Sequence, residues 1–315
     1  MKMLKRFGLF ILTNILVVLT ISLIIGFVSS FLGIRLNGGG YSGLFALCLI
    51  WGFAGSFISL QLSRWMAKMF HGVQVIDPQT TQPTERRLID LVYRLARQAG
   101  MSTMPEVGFY EAADVNAFAT GPSQSRSLVA VSTGLLNTMT EAELEGVLAH
   151  EISHIVNGDM VTMTLIQGVV NAFAMFFAQI LTMIILNALR KNDDRDSRGF
   201  GDFMLRQMIY STISIALTLL GSILVNYFSR QREFRADAGG ARLASSEKMT
   251  AALMKLQRLS GSQQMLAESG PDEKGSDNLA TMKISGNSSG MMRLFMTHPP
   301  LEERIEALRH RTFIG

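Results

Sequence analysis

The stretch TEAELEGVLAHEISHIVN, residues 140–157, decides how the rest of the chain is read. Thr140 and Glu143 have the spacing of a reciprocal N-terminal cap, so a helix starts there. Inside it lies His150-Glu151-Ile152-Ser153-His154. Histidines four apart project from one side of a helix, near enough for both rings to share one tetrahedral Zn²⁺, and the glutamate between them reaches a water on that ion. Two surface histidines on an amphipathic helix are the plainer alternative. In a chain with five His the pattern arises by chance on the order of one time in a hundred.

Two histidines leave such a site short of one protein ligand and a water. The best downstream donor is Glu233 in Arg232-Glu233-Phe234-Arg235-Ala236-Asp237, a carboxylate four residues before another on a predicted helix. Glu233 completes a His₂Glu set, and Asp237 can hydrogen-bond an imidazole from behind. Alone, this run reads as a solvated charged helix end; the histidine pair reverses that reading.

Between these two halves the chain is strongly apolar. Residues 160–189 and 208–228 carry no charge, and neither do 7–28 and 43–62. Each run approaches or exceeds the roughly 20 residues that cross a bilayer core as a helix. Four such runs in 315 residues are poor candidates for buried core helices. Lys2, Lys5 and Arg6 precede the first run as in a signal peptide, but it is too long and lacks a small-residue cleavage site. It is therefore expected to be an uncleaved anchor. His154 lies just before the third run and Glu233 just after the fourth, so spans three and four must form a hairpin for one metal to reach both.

Composition agrees with this picture. The chain has 29 basic and 25 acidic residues, net charge +4, with charged residues at 17%, below the roughly 25% usual for soluble domains. Mean hydropathy is +0.26. An ordinary soluble enzyme is excluded, the single Cys48 rules out an internal disulfide, and the small, mixed charge argues against nucleic acid as partner. Arg64, Lys68, Arg86, Arg87, Arg94 and Arg97 follow span two, whereas only Arg35 lies between spans one and two. By the basic-inside bias, the N-terminus and the segment after span two are cytoplasmic. Arg190, Lys191, Arg195, Arg198 and Arg206, between spans three and four, run against that bias.

The expected organisation is an N-terminal anchor hairpin over 1–62, a first catalytic part over 63–159, a second membrane hairpin over 160–228 and a second catalytic part over 229–315. In the aqueous parts, 84–100 reads as a helix, 106–110, 115–120 and 128–132 as short strands, and 261–290, rich in Gly, Ser and charge, as a mobile loop. A polar stripe of Gln207, Ser211, Ser214, Thr218, Ser222 and Asn226 runs along span four, and Gln167 and Asn171 on span three can face it. It reads either as close helix packing or as a polar wall beneath the metal. His298, before Pro299-Pro300 and a helix-like segment, is either a structural helix entry or a donor to an oxyanion.

Taken together, His150 to His154 followed by Asn157-Gly158-Asp159, the pair Glu233 and Asp237, Val115-Asn116-Ala117-Phe118-Ala119, and Thr297-His298-Pro299-Pro300 through Arg304 resemble the bacterial HtpX family of membrane zinc metalloproteases, relatives of the CAAX prenyl endopeptidases. The resemblance covers nearly the whole chain. It implies one Zn²⁺ per chain on His150, His154 and Glu233, with Glu151 as catalytic base and Asp237 orienting a ligand. It further implies that Asn116, Ala117, Phe118 and Ala119 lie on an edge strand that pairs with substrate, and that His298 and Arg304 sit near the transition state. The implied setting is the bacterial inner membrane, multi-pass, with the active site facing the cytoplasm, and the implied task is stress-related clearance of damaged membrane proteins.

The expected fold is therefore α+β and mainly α-helical, an integral membrane protein of about four transmembrane helices with a zincin-like (gluzincin) catalytic domain and a small β-sheet. The expected activity is zinc-dependent endopeptidase action on protein substrates, membrane proteins foremost, beside the lipid bilayer, with oligomerisation left open. A narrow-specificity processing peptidase of the prenyl-endopeptidase type and a membrane scaffold or transporter with a structural metal remain as alternatives. The open coordination position and Glu151 argue against the last, since structural zinc is usually closed by four protein ligands.

Overall fold

The computed structural model describes residues 40–190, 200–269 and 296–310. The first predicted span, 7–28, lies outside them, as do 191–199 of the loop between spans three and four. Three helices among the described residues are long and apolar enough to cross a membrane: α1 (Gly40–Phe70), α5 (Asp159–Arg190) and α6 (Phe200–Leu243). Spans two, three and four fall on them.

Contacts divide the described residues into two units, one drawn from 40–59 and 164–225, the other from 60–163 and 226–310. In the first unit, α1 and α5 approach through small residues: a Cβ on Gly52 would stand 2.6 Å from the Gly168 carbonyl oxygen and 2.7 Å from the Ala172 nitrogen. Small side chains let apolar helices gain dispersion contact where no hydrophobic force draws them together. Phe45 packs on Phe173 and Phe176 beside them. Outward-facing Phe173, Phe177, Leu181, Ile184, Ile215, Leu219 and Leu220 are exposed, which suits a hydrocarbon solvent and not water. Several polar side chains of these spans bond within their own helix: Gln167 donates to Asn171 at 2.7 Å, Gln207 to Ser211 at 3.3 Å and Ser222 to the Leu219 carbonyl at 2.7 Å.

α6 runs for 44 residues, about 66 Å at 1.5 Å per residue, twice what a bilayer core of about 30 Å requires. Its C-terminal third therefore continues past the apolar run 208–228 as the same helix. That continuation carries Glu233 and Asp237 into the second unit.

The second unit holds β1 (Gln74–Val75), α2 (Pro83–Gln98), β2 (Glu106–Tyr110), β3 (Ala117–Ser123), β4 (Arg126–Ser132), α3 (Thr133–Thr138), α4 (Glu141–Asn157), α7 (Ser246–Ser269) and α8 (Leu301–His310). Pro83 opens α2, where its missing N–H loses nothing, and Leu88, Ile89, Leu91, Val92, Leu95 and Ala96 form its buried stripe. The sheet order is β1-β2-β4-β3. β2 and β4 run parallel, with antiparallel β1 and β3 on the outside. Val107, Val129 and Val131 face the main core with α2 and α4, while Tyr110, Leu128 and Ala130 pack with Ala67 and Val73 on the other face. Arg64 and Lys68, at the end of α1, pair with Glu106 at 3.3 and 2.8 Å.

The structure departs from expectation at the end of α7. Residues 261–269, read as part of a mobile loop, continue α7 to Ser269. Gln263, Gln264, Met265, Leu266, Ala267 and Glu268 are good helix formers, and a helix already nucleated upstream tolerates Gly261. The remainder of that loop, 270–290, lies outside the described residues.

Candidate metal centre

The cap that opens α4 is fully made. Glu143 N–H donates to Thr140 Oγ1, and the Glu143 carboxylate accepts from Thr140 N–H at 2.8 Å. From there Leu148, Ile152 and Ile155 are driven into the core, which turns His150 and His154 toward α6. Gly158, at φ 67°, closes the helix in the left-handed conformation that other residues adopt only with strain. Asp159 then begins α5 at once, and its carboxylate reaches His154 in the last turn of α4.

α6 meets α4 at Gly239, where an added Cβ would stand 2.5 Å from Ser153 Oγ and 2.8 Å from its Cβ. That approach places Glu233 against both histidines. His150 Nε2 is 3.1 Å from His154 Nε2, Glu233 Oε2 is 3.5 Å from His150 Nε2, and Glu233 Oε1 is 3.4 Å from His154 Nε2. Ligands bonded at about 2.05 Å in a tetrahedron are separated by about 3.3 Å, so these three side chains already stand at the edges of such a site.

The hydrogen bonds on the far side of each ring say which nitrogen faces inward. His150 Nδ1 is 2.9 Å from Asp237 Oδ1, and His154 Nδ1 is 2.6 Å from Asp159 Oδ2. An ionised carboxylate only accepts, so each Nδ1 donates outward and each Nε2 is the nitrogen left facing the metal position. Glu233 is 1% exposed, and its Oε1 is buried without a hydrogen-bond partner. Two imidazole nitrogens and a carboxylate oxygen therefore converge, a donor set that suits a divalent cation once the rings release their Nε2 protons. Burial pulls the His150 pKa down, but hydrogen bonding to Asp237 and Glu233 outweighs it and holds the ring up at about 9. His154 is likewise raised, its burial and the charge of His150 being overcome by Asp159 and Glu233. An environment that holds protons this firmly holds a metal ion by the same negative charge.

Arg304, on α8 and 7% exposed, donates through Nε and Nη2 to both oxygens of Asp237 at 2.8 and 2.6 Å and stands 3.5 Å from Glu233. Burial disfavours its charge, but Asp237 and Glu233 hold its pKa above the ordinary arginine value. His298 Nδ1 reaches Glu233 Oε2 at 3.0 Å while its ring stays half-exposed. Glu151 is partly exposed on the same helix as the ligand pair.

The structure thus brings His150, His154, Glu233, Asp237, His298 and Arg304 together. Ala117, Phe118 and Ala119 lie on β3, an outer strand paired on one side with β4 and packed against α4. Asn116 precedes it, its backbone tied to Ser132 on both N–H and C=O. His71, to which the sequence assigned no role, packs its ring 5.3 Å from that of Phe118. Asp159 was the residue missed. It stood within a quoted motif, and the available signal was a carboxylate placed one residue beyond a helix-ending Gly.

Comparison with known proteins follows the same lines. The model of peptidase family M48 matches residues 82–312. Among curated relatives, a protease HtpX homolog of Methylacidiphilum infernorum is 47% identical over 97% of this chain and 98% of its own length. A protease HtpX of Aeromonas salmonicida is 48% identical over 97% and 99%. Among solved structures, the crystal structure of Ste24p from S. mikatae aligns with a TM-score of 0.58 at 18% identity over 94% of this chain, which spans 65% of that longer protein. At that identity the likeness is one of fold.

Proposed function

The chain belongs to peptidase family M48, and from that premise we propose that it is a membrane-bound zinc endopeptidase whose single site is built from His150, His154 and Glu233. The observation that carries this reading is the convergence of two imidazole Nε2 atoms and a buried carboxylate whose Oε1 accepts no hydrogen bond, on the helix that also carries Glu151 and on α6.

Zinc, held there by His150, His154 and Glu233, would supply a Lewis acid and a water of lowered pKa. Glu151 removes the proton from that water and afterwards delivers it to the leaving amine. Asp237 accepts the Nδ1 proton of His150 and keeps its Nε2 turned inward. Arg304 fixes Asp237 by a two-point fork. His298, half-exposed and adjacent to Glu233, is placed to donate to the oxyanion. An extended segment adding to the free side of β3 at Asn116 to Ala119 is held through backbone hydrogen bonds, with little demand on its side chains.

Such tolerance suits clearance of misfolded or damaged membrane proteins. Relatives bearing the name protease HtpX support that assignment, and the basic residues after span two support a bacterial inner-membrane setting with the site on the cytoplasmic side. The domain plan that accompanies it is an anchor hairpin over 1–62, a second hairpin over 160–228, and a catalytic domain assembled from 63–159 and 229–315.

The test is the detergent-purified full chain incubated with an unfolded casein-like protein, with and without a chelator. Chelator-sensitive cleavage is expected. Cleavage confined to prenylated peptides identifies a narrow processing peptidase, and zinc bound without any cleavage identifies a structural metal. Glu233→Ala is expected to lose zinc by elemental analysis; unchanged zinc content means that another residue is the third ligand.

A further inference from the structure

The two histidines are supported in different ways. His150 leans on Asp237, which comes from α6 and is clamped by Arg304. His154 leans on Asp159, which is the first residue of α5 and sits five positions along the chain, beyond the Gly158 turn. The contact is short, 2.6 Å between Nδ1 and Oδ2, and Asp159 is 2% exposed, so the carboxylate is enclosed with its imidazole.

We propose that Asp159 is a positioning residue for the reaction: its carboxylate accepts the Nδ1 proton of His154 and so holds the Nε2 lone pair on the metal position. This rests on the zinc reading above. Two features give the contact its force. A ring pinned at Nδ1 can neither flip nor shift its proton to Nε2, either of which removes a donor from the site. The Gly158 turn, closed by a backbone bond from Gly158 N to Ile155 O at 3.1 Å, sets the carboxylate where the ring edge already is, so little freedom is lost in forming the bond.

A purely structural role is the alternative to exclude, because an acidic residue in the first turn also favours the helix dipole. Asp159→Asn loses that charge but keeps an acceptor oxygen at the same reach. Asp159→Ser loses both the charge and the reach. Positioning therefore predicts that Asn largely preserves metal binding while Ser weakens it about 10- to 100-fold, the usual range for loss of such a partner. A dipole role predicts equal effects from both.

The experiment measures Zn²⁺ affinity of the full chain in detergent by competition with a chromophoric chelator, for wild type, Asp159→Asn and Asp159→Ser, alongside the visible absorption of the Co²⁺-loaded forms. Asp159→Ala replaces the Ser variant if the latter does not fold. The expected result is tight binding in wild type, a loss of a few-fold in Asn, a 10- to 100-fold loss in Ser or Ala, and a changed Co²⁺ spectrum in the last two. Equal affinities in Asn and Ser, at whatever level, overturn the proposal. Absence of Zn²⁺ binding in wild type overturns the zinc reading instead.

Discussion

Arg304 donates to both carboxylate oxygens of Asp237, at 2.8 and 2.6 Å, and the two side chains are 8% and 2% exposed. The pair joins α8 to α6 directly behind His150. Removing one member of a buried pair leaves the other charge without water or partner, which costs about 3–5 kcal/mol. Arg304→Met is therefore expected to lower the thermal midpoint sharply, and to weaken zinc as Asp237 turns away from His150. Arg304→Lys, with a point charge in place of a planar fork, should fall between. Melting curves of the metal-free protein check the first effect, and chelator competition checks the second.

Glu151→Gln should separate binding from chemistry. Glu151 is absent from the ligand set formed by His150, His154 and Glu233, so zinc content should stay at the wild-type level. Loss of the proton acceptor should lower cleavage of an unfolded substrate by about 10²- to 10⁴-fold. A variant that cleaves at the wild-type rate would show that another group takes the proton.

What could be read in advance depended on the distance over which each feature is encoded. The cap at Thr140 and the pair His150 and His154 are local, within one helix, and were fully legible. Glu233 is 79 residues beyond His154, yet two apolar runs of spanning length between them, an even number, made its return to the histidines predictable. The strand expected over 115–120 begins instead at Ala117, because the Asn116 N–H donates to the Ser132 hydroxyl and not to a backbone carbonyl. β1 spans two residues, too short for any alternation to register. Arg304 and Asp237 are 67 positions apart, and a charged pair so distant leaves no trace in periodicity. Glu233 and Asp237 were placed on a helix in advance, but that one unbroken α6 runs on to Leu243 was not, because the charges over 229–243 also suggest a helix end.

Metal binding should compete with protons over a defined window. In the metal-free protein the His150 pKa is raised from 6.5 to about 9, so the folded ring holds a proton that the unfolded chain would release. That contribution to stability is fully present below about pH 6.5 and is lost as pH rises through about 9. Zinc requires the lone pair and displaces the proton, so its affinity rises over the same interval. Melting the protein with and without zinc from pH 6 to 9 should show the metal-free midpoint falling while the increment due to zinc grows. An increment independent of pH would mean that His150 is already neutral when the metal arrives.

Gly239 should prove as necessary as the ligands, for a steric reason. An Ala at this position gains about 1 kcal/mol of helix propensity, but its methyl must occupy space 2.5 Å from Ser153 Oγ and 2.8 Å from Ser153 Cβ. Ser153 cannot withdraw, since it is 3% exposed and its hydroxyl donates to the Ala149 carbonyl at 2.8 Å. Overpacking of this kind costs about 1–3 kcal/mol, so the clash outweighs the propensity and α6 is pushed off α4. Glu233 lies under two turns away and would retreat from both histidines. Gly239→Ala is expected to weaken zinc by at least about tenfold, the affinity equivalent of about 1.4 kcal/mol. Ser153→Gly in the same chain removes both clashing atoms and should restore most of the binding, although Ser153→Gly alone should change it little. A double variant no better than Gly239→Ala would show that the close approach of α6 to α4 does not govern the site.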